Sequence, residues 1–490
     1  MTLKQQVTKG VKWQLYELLG RHVLSFVVFT TLSRLLAPDS FGVFAYISVY
    51  LAFVQIFATQ GLGTALIQRK DLRQEHIDAA FWVNVLCSSL LCLATLIFAG
   101  PIASMLKEPS LVPYLRVSSL ILVINATAAV HGTLLNREMD FRKPAIRTFL
   151  ANLVGGAAGV AVAISGGGVW ALVGQQLFVS FASAVFLWGV SKYRPKFHFS
   201  ILHFRELQAM GWSVAGTSLL YFVLSRLDHL VIGRVLGVTA LGYYTVGMKL
   251  PELARNVTHQ PVSKISMPAF SRLQASPAEM CRAIYRGIEL YATLSCAVFV
   301  GLSCVATELV PLVLGAQWAP AASICSLLAL YALAQTLHVF FHPALLAAGL
   351  TRQYLFLNGF QVMGVVAVCL GLVSFGTEAL VIGLTCNMLI AAIPVLWVLK
   401  EKIGLQPARF ARLCIVPLGA GALMAFSVLL VDRSLPSDFS KVGRLIVKVG
   451  VGAVVYPAII FLLNRNLRES IMTYTCSFAS RVRLRLLGQS

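Results

Sequence analysis

The chain has 490 residues, of which 58% are hydrophobic and 12% are charged. Soluble proteins carry about 25% charged residues, and a mean hydropathy of +0.79 excludes a soluble globular enzyme. The net charge of +21 is compatible with nucleic-acid binding. It also arises in multi-pass membrane proteins, because their cytoplasmic loops collect Lys and Arg.

Fourteen apolar runs follow one another along the chain, each close to the roughly 20 residues that a membrane-spanning helix needs. In chain order they are 13–36, 42–67, 79–99, 114–135, 146–165, 169–190, 209–234, 239–265, 285–306, 319–348, 353–375, 378–399, 410–431 and 444–463. Irregular backbone does not face lipid, so the runs predict helices. The predicted fold class is an all-α integral membrane protein with about 14 transmembrane helices.

The positions of Lys and Arg predict the orientation of the helices. If the N-terminus is cytoplasmic and the helices alternate, 28 of these residues fall in cytoplasmic segments, four in external ones and eight within helices. Because cytoplasmic segments collect Lys and Arg, we expect a multi-pass membrane protein with both termini in the cytoplasm. We interpret the first run as a retained helix, and residues 464–490 as a basic tail on the anionic inner leaflet.

An internal repeat links the two halves of the chain. Residues 33–44 recur as 233–244, with an Arg, a Leu and a Gly in the same places. A second similarity pairs residues 171–173 with 379–381, which both read Ala-Leu-Val. The first helix of each half starts on the same side of the membrane, so the repeat is parallel. Many secondary transporters are built in this way, with a site at the repeat interface.

The repeat predicts the domain organisation. We expect two parallel six-helix bundles at residues 1–198 and 199–405, followed by two additional transmembrane helices at 406–463 and by the basic tail. No apolar run is separated from the next by enough chain for a folded extramembrane domain of ordinary size.

Four stretches of the chain resemble a known family. They are LSRLLAPDSFGVF at residues 32–44, ALIQRKDL at 65–72, SRLDHLVIGRVLG at 225–237 with ALGYY at 240–244, and PAFSRLQ at 268–274. Taken together they resemble the bacterial polysaccharide exporters of the MOP (multidrug, oligosaccharidyl-lipid, polysaccharide) flippase superfamily, of the colanic acid exporter type.

The resemblance implies a transporter and not an enzyme. Such a flippase moves a lipid-linked oligosaccharide or nascent polysaccharide across the bacterial inner membrane by alternating access, and we expect this transport to be coupled to an ion. The implied cargo is an undecaprenyl-type lipid-linked glycan for lipopolysaccharide or exopolysaccharide, and glycan polymerase machinery is a candidate partner besides the lipid bilayer. We expect no catalytic residue, cofactor, metal ion or nucleic-acid partner, and no oligomer is implied.

Charged residues within the predicted helices are the candidate functional residues, because such a charge costs roughly 2.5–3.5 kcal/mol unless it faces protein or water. Glu17 and Arg21 are four residues apart in the first helix and share a face. They form either a structural ion pair or part of an inward-facing vestibule. Arg34 and Arg234 lie near the outer ends of two helices, where the helix dipole stabilises a cation or an anionic cargo binds.

Arg226, Asp228 and His229 lie together in the outer half of the seventh run. No arginine of the same helix stands at a spacing that faces Asp228, so we expect this carboxylate to meet another helix. A carboxylate next to a His suits proton coupling, since both can titrate when they are desolvated. An interhelical structural pair is the alternative.

The eighth run is the least apolar of the fourteen. The polar residues that share one face at about 100° per residue are Lys249, Glu252, Asn256, His259 and Gln260, with Arg255 beside them. We expect this stripe to line a water-filled cavity, in which Lys249 and Arg255 attract anionic cargo and Glu252 or His259 exchanges a proton. A salt-bridged seam with Lys249 and Glu252 paired is the alternative.

Gln335, His338 and His342 form a polar stripe on the tenth run, where they line the cavity or contact sugars. The two His are four apart like a metal pair, but no nearby carboxylate or Cys completes a zinc site. The candidate residues are therefore Arg21, Arg226, Lys249 and Arg255 for substrate binding, Glu17, Asp228, His229, Glu252 and His259 for ion coupling, and Asn256, Gln260, Gln335, His338 and His342 for lining the cavity.

Two other functions remain open from the residues. A multidrug antiporter of the same superfamily needs an acidic site for organic cations, but the intramembrane charges are mainly basic, eight against three deep acids. A membrane-embedded glycan polymerase or ligase needs a sizeable external loop, and the external gaps span at most about a dozen residues. The sequence favours an anionic pyrophosphate-sugar cargo.

Overall fold

The computed structural model describes residues 20, 23–59, 61–69, 71–138, 142–197, 201–436 and 438–463, except for the side chains of 202 and 209–214. Within these ranges the chain forms helices and turns and contains no β-strand. The predicted all-α class is confirmed. Glu17, Arg21 and the predicted basic tail lie outside the described residues.

Short segments connect the helices of the first half, and these helices follow the predicted runs. They are α1 (Val23–Leu35), α2 (Pro38–Thr59), α3 (Leu62–Gln68), α4 (Gln74–Met105), α5 (Leu111–Ser118), α6 (Leu120–Arg137), α7 (Arg142–Ile164) and α8 (Val169–Val190). The helices of the second half are α9 (Ile201–Leu236), α10 (Val238–Gly247), α11 (Lys249–Arg272), α12 (Pro277–Leu314), α13 (Ala321–Gln335), α14 (Phe341–Ala347), α15 (Thr351–Leu372), α16 (Thr377–Ile403), α17 (Pro407–Ser434) and α18 (Lys441–Leu463).

In the described ranges, each of the fourteen predicted runs contains a helix, and eleven helical segments are long and apolar enough to cross a membrane. The exact number of fourteen spans remains a prediction that is consistent with this structure. Many large apolar side chains, such as Phe98, Trp397 and Leu462, are exposed on the helices. Such a surface needs the hydrocarbon of a bilayer around it, because an aqueous protein does not tolerate apolar patches of this extent.

Two predicted spans are divided. The eighth run splits at Met248 into α10 and α11, and α11 carries Pro261 and Pro268 in its interior. The tenth run splits after Gln335, where a short 3-10 turn separates α13 from α14. Proline removes a backbone hydrogen bond of the helix, so α11 has two positions that favour bending.

The repeated segments contact each other reciprocally. A Cβ at Gly42 would lie 1.9 Å from the backbone O of Val238, and a Cβ at Gly242 would lie 2.1 Å from the backbone O of Pro38. The side chain of Thr239 donates a short hydrogen bond to Asp39 between them. A local two-fold relation, in which residue i meets j and j meets i, produces this pattern.

Backbone conformations repeat as well. Lys107 and Gly315 both have positive φ, at 58° and 117°, and they are 208 residues apart. Gly168 and Gly376 have the same separation and φ values of 53° and 104°. Each of the latter two starts a helix, and glycine is favoured there because it has no Cβ to clash in this region. These turns support the repeat at positions that share little sequence.

The chain forms two compact units. Unit 1 consists of Met1–Val246, Val313–Trp318 and Val365–Thr377, and unit 2 consists of Gly247–Leu312, Ala319–Gly364 and Glu378–Ser490. The predicted bundle boundaries at residues 198 and 405 remain a prediction.

An ionic cluster fixes the start of α9 within unit 1. Glu206 accepts hydrogen bonds from His76 of α4 and from Arg69, which follows α3. The hydrogen bond from His76, together with the Arg69 cation, holds the pKa of the Glu206 carboxyl below its usual value. Arg137 of α6 donates to the carbonyls of Leu66 and Arg69 and so caps the end of α3.

Candidate functional site

Arg34, at the end of α1, binds backbone within unit 1. Its Nε donates to the carbonyl of Val313 at 3.0 Å, and the indole of Trp318 donates to the carbonyl of Ser33 at 2.8 Å. Arg34 thus satisfies the carbonyl of Val313 near the end of α12, and Trp318 satisfies the carbonyl of Ser33 near the end of α1, where the last carbonyls of a helix lack partners within it. Its repeat equivalent Arg234 is exposed.

Asp228 of α9 is buried and accepts hydrogen bonds from two residues. The backbone N–H and the Nδ1 of His229 each lie 2.8 Å from Asp228 Oδ1, and the hydroxyl of Tyr244 lies 2.5 Å from Oδ2. Tyr244 belongs to α10, so this carboxylate does meet another helix. Arg226, two residues earlier, is exposed.

The sequence did not indicate Tyr244 as a partner. Its hydroxyl is the only side-chain donor from another helix that the structure shows on Asp228 among the described residues. The ring of His229 also packs edge-on against Tyr244, with 5.3 Å between the ring centroids. A signal was present, because Tyr244 ends the repeated segment, but no spacing rule relates residues 228 and 244 on two different helices.

The predicted stripe lies on one side of α11, and each of its polar residues has a partner within unit 2. Lys249 Nζ lies 3.0 Å from Glu252 Oε2, and Gln260 Nε2 lies 3.2 Å from Asn256 Oδ1. All four side chains are partly exposed. The pairing predicted for the seam alternative is present, but the pair is not sealed from solvent as a dry seam would be.

Arg255 and His259 reach side chains of neighbouring helices. Arg255 Nη1 donates to Gln335 Oε1 at 3.0 Å, and the hydroxyl of Tyr291 lies 3.3 Å from His259 Nδ1. The structure therefore joins Gln335, one of the predicted residues of the tenth run, to the α11 stripe. Arg255 keeps further N–H donors on its guanidinium beyond this single contact.

The two other predicted residues of the tenth run lie elsewhere in unit 2. His338 Nε2 lies 3.0 Å from the carbonyl of Met388, and His342 stacks on Tyr354 with 4.5 Å between ring centroids. They therefore have neighbours other than those of Gln335, and the predicted stripe of these three residues stays a prediction. In the described part of the chain, no group of three His, Cys, Asp or Glu side chains is arranged to hold a metal ion.

The opposite side of α11 borders an apolar cavity of about 600 Å³. Leu250, Ala254 and Val257 of α11 line it together with residues of α12, α17 and α18. Small residues such as Gly301 and Gly452 leave the space open. The same helix therefore presents cations and amides on one side and borders an apolar cavity on the other.

Lys448 of α18 lines the same cavity and is only 3% exposed. Its Nζ lies 2.7 Å from Glu308 Oε1 of α12 and 3.0 Å from Asp432 Oδ2 of α17. Arg444 approaches Asp432 Oδ1 at 3.7 Å, so two cations face two carboxylates. Lys448 is one of the eight Lys and Arg residues that the sequence places within helices, but its partners lie on two other helices and no sequence spacing indicates them.

Replacing Lys448 with Met is expected to lower the free energy of unfolding by about 3 kcal/mol, because the half-buried Glu308 loses its cation and Asp432 keeps only the more distant Arg444. The melting temperature of the purified protein measures this loss. Lys441→Met, at an exposed position of the same helix, is the control. Equal melting temperatures for the two variants would contradict a stabilising role of the cluster.

The comparisons with known proteins agree with these features. A family model described as “Polysaccharide biosynthesis protein” matches residues 31–323. The succinoglycan biosynthesis transport protein ExoT of Rhizobium meliloti (strain 1021) is 26% identical over 476 residues, which cover 95% of each chain. The lipopolysaccharide biosynthesis protein WzxC of Escherichia coli (strain K12) is 23% identical over 324 residues, which cover 65% of each chain.

Among solved structures, the lipid II flippase MurJ in an inward closed conformation matches with a TM-score of 0.75 and 13% identity. The match covers 93% of this chain and 99% of MurJ. At this identity the match shows the fold alone, and it is the fold of a multi-pass membrane protein. The chain therefore belongs to the polysaccharide biosynthesis protein family.

Proposed function

We propose that the protein is a flippase that moves a lipid-linked oligosaccharide or nascent polysaccharide across the bacterial inner membrane, and that it is not an enzyme. The observation that carries the proposal is the two-sided character of α11. Lys249 and Arg255 stand on its partly exposed polar side, while Leu250 and Val257 border the apolar cavity. An amphiphile with an anionic head and a long apolar chain matches both surfaces.

The names of the relatives support a glycan cargo. ExoT is named as a succinoglycan biosynthesis transport protein and WzxC as a lipopolysaccharide biosynthesis protein. The cargo proposed here is an undecaprenyl-type lipid-linked glycan, and glycan polymerase machinery is its proposed receiver outside. The cations at 249 and 255 would attract the diphosphate, because Arg and Lys donate hydrogen bonds to phosphate oxygens.

Alternating access requires contacts that close in one state and part in another. The reciprocal contact of Gly42 with Val238 and of Gly242 with Pro38 is proposed as one of these, because the predicted topology puts both segments at the external face. The cargo would then enter from the cytoplasmic side while this contact is closed.

Two pairs of side chains are proposed to couple transport to an ion. Asp228 and His229 are joined by a hydrogen bond in unit 1, and Glu252 and His259 belong to the α11 stripe in unit 2. A carboxylate or an imidazole can carry one proton in each cycle, taking it from water on one side and releasing it on the other.

Deleting the gene tests the proposal. The mutant should lose surface polysaccharide and accumulate the lipid-linked precursor in the inner leaflet, and the intact gene should restore both. Normal surface polysaccharide in the deletion strain, with no related gene to replace it, would refute the proposed function. Accumulation of unfinished precursor before its last sugar is added would instead indicate an enzyme of assembly.

Topology reporters are expected to read external after Gly168, and cytoplasmic after Arg73, Arg142 and Gln489. The reason is the distribution of Lys and Arg, most of which lie in cytoplasmic segments only if the N-terminus is cytoplasmic and successive helices alternate in direction. Alkaline phosphatase and fluorescent-protein fusions at the four positions measure this. An external signal after Gln489 would contradict both the proposed cytoplasmic C-terminus and the count of fourteen.

Cysteines on the polar side of α11 are expected to react with a membrane-impermeant thiol reagent, because these side chains are partly exposed to the proposed aqueous path. Glu252→Cys and Asn256→Cys, in a protein whose own ten cysteines are replaced, should be labelled. Leu250→Cys and Thr258→Cys, at buried positions of the same helix, are the matched controls and should not be. Equal protection of all four positions would show that no aqueous path reaches α11.

A further inference from the structure

The segment 191–197, which joins α8 to α9 and is called the strap here, is fixed to unit 1. It begins in extended backbone at Ser191. Exposure then alternates, because Lys192 and Arg194 are exposed on either side of the buried Tyr193. Lys196 and Phe197 are exposed as well. The strap thus directs one aromatic side chain into the protein and leaves three cations on its surface.

Tyr193 anchors the strap by its hydroxyl and by its ring. The hydroxyl donates to Asp78 Oδ1 at 2.7 Å, and Asp78 is itself buried in the first turns of α4. The ring packs against Phe81 and His131, with 6.2 Å and 5.3 Å between centroids. Asp78 Oδ1 also accepts from the backbone N–H of Lys196 at 3.3 Å. One buried carboxylate therefore holds the chain on both sides of Arg194.

An aromatic pair ends the strap. Trp82 Nε1 donates to the carbonyl of Lys196 at 2.8 Å, and Phe197 stacks on Trp82 with 4.7 Å between ring centroids. Phe197 is 92% exposed. An apolar ring that is exposed to water contributes no hydrophobic burial to the stability of the fold. Aromatic side chains of this kind are enriched at the headgroup level of a bilayer, where one end is apolar and the other is wet.

The three cations of the strap have no acidic partner within the described part of the chain. Between the described residues of unit 1, the salt bridges involve Glu206 and Asp228 and do not include Lys192, Arg194 or Lys196. Arg194 instead uses one nitrogen to bind the carbonyls of Ser191 and Tyr193. This contact holds the guanidinium close to the strap, and its other N–H groups point elsewhere.

We propose that the strap is a binding surface for the anionic phospholipid headgroups of the inner leaflet. Its cations would bind the phosphates, and the pair of Trp82 and Phe197 would lie among the glycerol and upper acyl groups. Because the anchors fix the backbone in advance, binding has to order little of the chain. The inference goes beyond the proposed flippase function and rests on the predicted topology, which places this segment in the cytoplasm.

Quenching of Trp82 by brominated lipids tests the inference. The full-length protein is placed in nanodiscs of phosphatidylcholine that contain brominated phosphatidylglycerol or brominated phosphatidylcholine. The difference in tryptophan fluorescence between the unaltered protein and the Trp82→Phe variant gives the share of the total emission that comes from Trp82. Brominated phosphatidylglycerol is expected to quench this share at a mole fraction at least about fivefold lower than brominated phosphatidylcholine, because even one basic residue near an anionic surface contributes about a fivefold preference.

Three variants test whether the lipid preference comes from the strap or from the general attraction between a basic protein and anionic lipid. The triple change Lys192→Gln, Arg194→Gln and Lys196→Gln should bring the preference to about one. The pair Lys400→Gln and Lys402→Gln removes two exposed cations at the predicted cytoplasmic end of α16 and should leave it unchanged. Tyr193→Phe, which keeps every charge and removes only the hydroxyl that Asp78 binds, should reduce the preference partially.

The unaltered protein supplies a further control that does not depend on folding of a variant. In 1 M salt, where screening acts within about 3 Å, the preference for phosphatidylglycerol should disappear. Equal quenching by the two lipids at low salt would overturn the inference. The cations of the strap would then have an acidic protein segment as their remaining candidate partner. An equal loss in the Lys400 and Lys402 variant would overturn it too, since the preference would then belong to the whole inner surface.

Discussion

Replacing Gly242 with Val is expected to reduce polysaccharide export at least about 100-fold while the protein still accumulates. A Cβ at this position would lie 2.1 Å from the backbone O of Pro38 and 3.3 Å from the backbone N of Gly42. The obstacle is backbone, which cannot rotate away as a flexible side chain does. The repeated segments must therefore separate, and the state in which they touch is lost. An alternating-access cycle stops when one of its states is inaccessible.

Surface polysaccharide per unit of membrane protein measures this effect. Gly174→Val is the matched control, because a Cβ at Gly174 in α8 meets nothing within 4 Å. It should export normally. Gly42→Val should behave like Gly242→Val, since its Cβ would lie 1.9 Å from the backbone O of Val238. Normal export by both repeat variants would show that this contact does not close during transport.

Asp228→Asn is expected to reduce export about 100-fold at unchanged abundance if the carboxylate carries the coupling proton. The substitution keeps the shape of the side chain and removes its charge, so the group can no longer accept and release a proton. Tyr244→Phe is the matched control, because it removes the 2.5 Å hydrogen bond and leaves the carboxylate in place. It should cost about 1–3 kcal/mol of stability and leave most of the export.

Export and melting temperature, measured together, distinguish the two roles of Asp228. Loss of export with an unchanged melting temperature supports coupling. A large fall in melting temperature, with export that follows abundance, would show that Asp228 and His229 form a structural pair. Full export by a stable Asp228→Asn variant would contradict the coupling role directly.

The helices were predictable because hydrocarbon requires long apolar helical runs, and each such run stands out in a chain with 12% charged residues. The break at Met248 was not predicted, because the run 239–265 has the length of a single membrane-spanning helix. The reciprocal contact of the repeats was only implied. The sequence showed that residues 42 and 242 are equivalent, but equivalence does not say that they touch.

The candidate site was predictable along one helix and not across helices. The α11 stripe follows from the 100° step between residues, and the structure finds those side chains on one side and partly exposed. The partners Tyr244, Tyr291 and Glu308 come from other helices, where sequence spacing carries no information. His338 and His342 illustrate the limit, because a four-residue spacing predicts a shared face only within one continuous helix, and here a 3-10 turn ends at His338 before α14 begins at Phe341.

Flipping by the purified protein is the most direct test of the proposed function. The protein is reconstituted in liposomes with a fluorescent lipid-linked glycan from its own bacterium, and an added glycosidase cleaves only the glycans that face outward. The proposal predicts that the protected half becomes cleavable over minutes in liposomes with the protein, and that Gly174→Val retains this activity while Gly242→Val loses it. Protection that decays equally in protein-containing and protein-free liposomes would contradict the proposal.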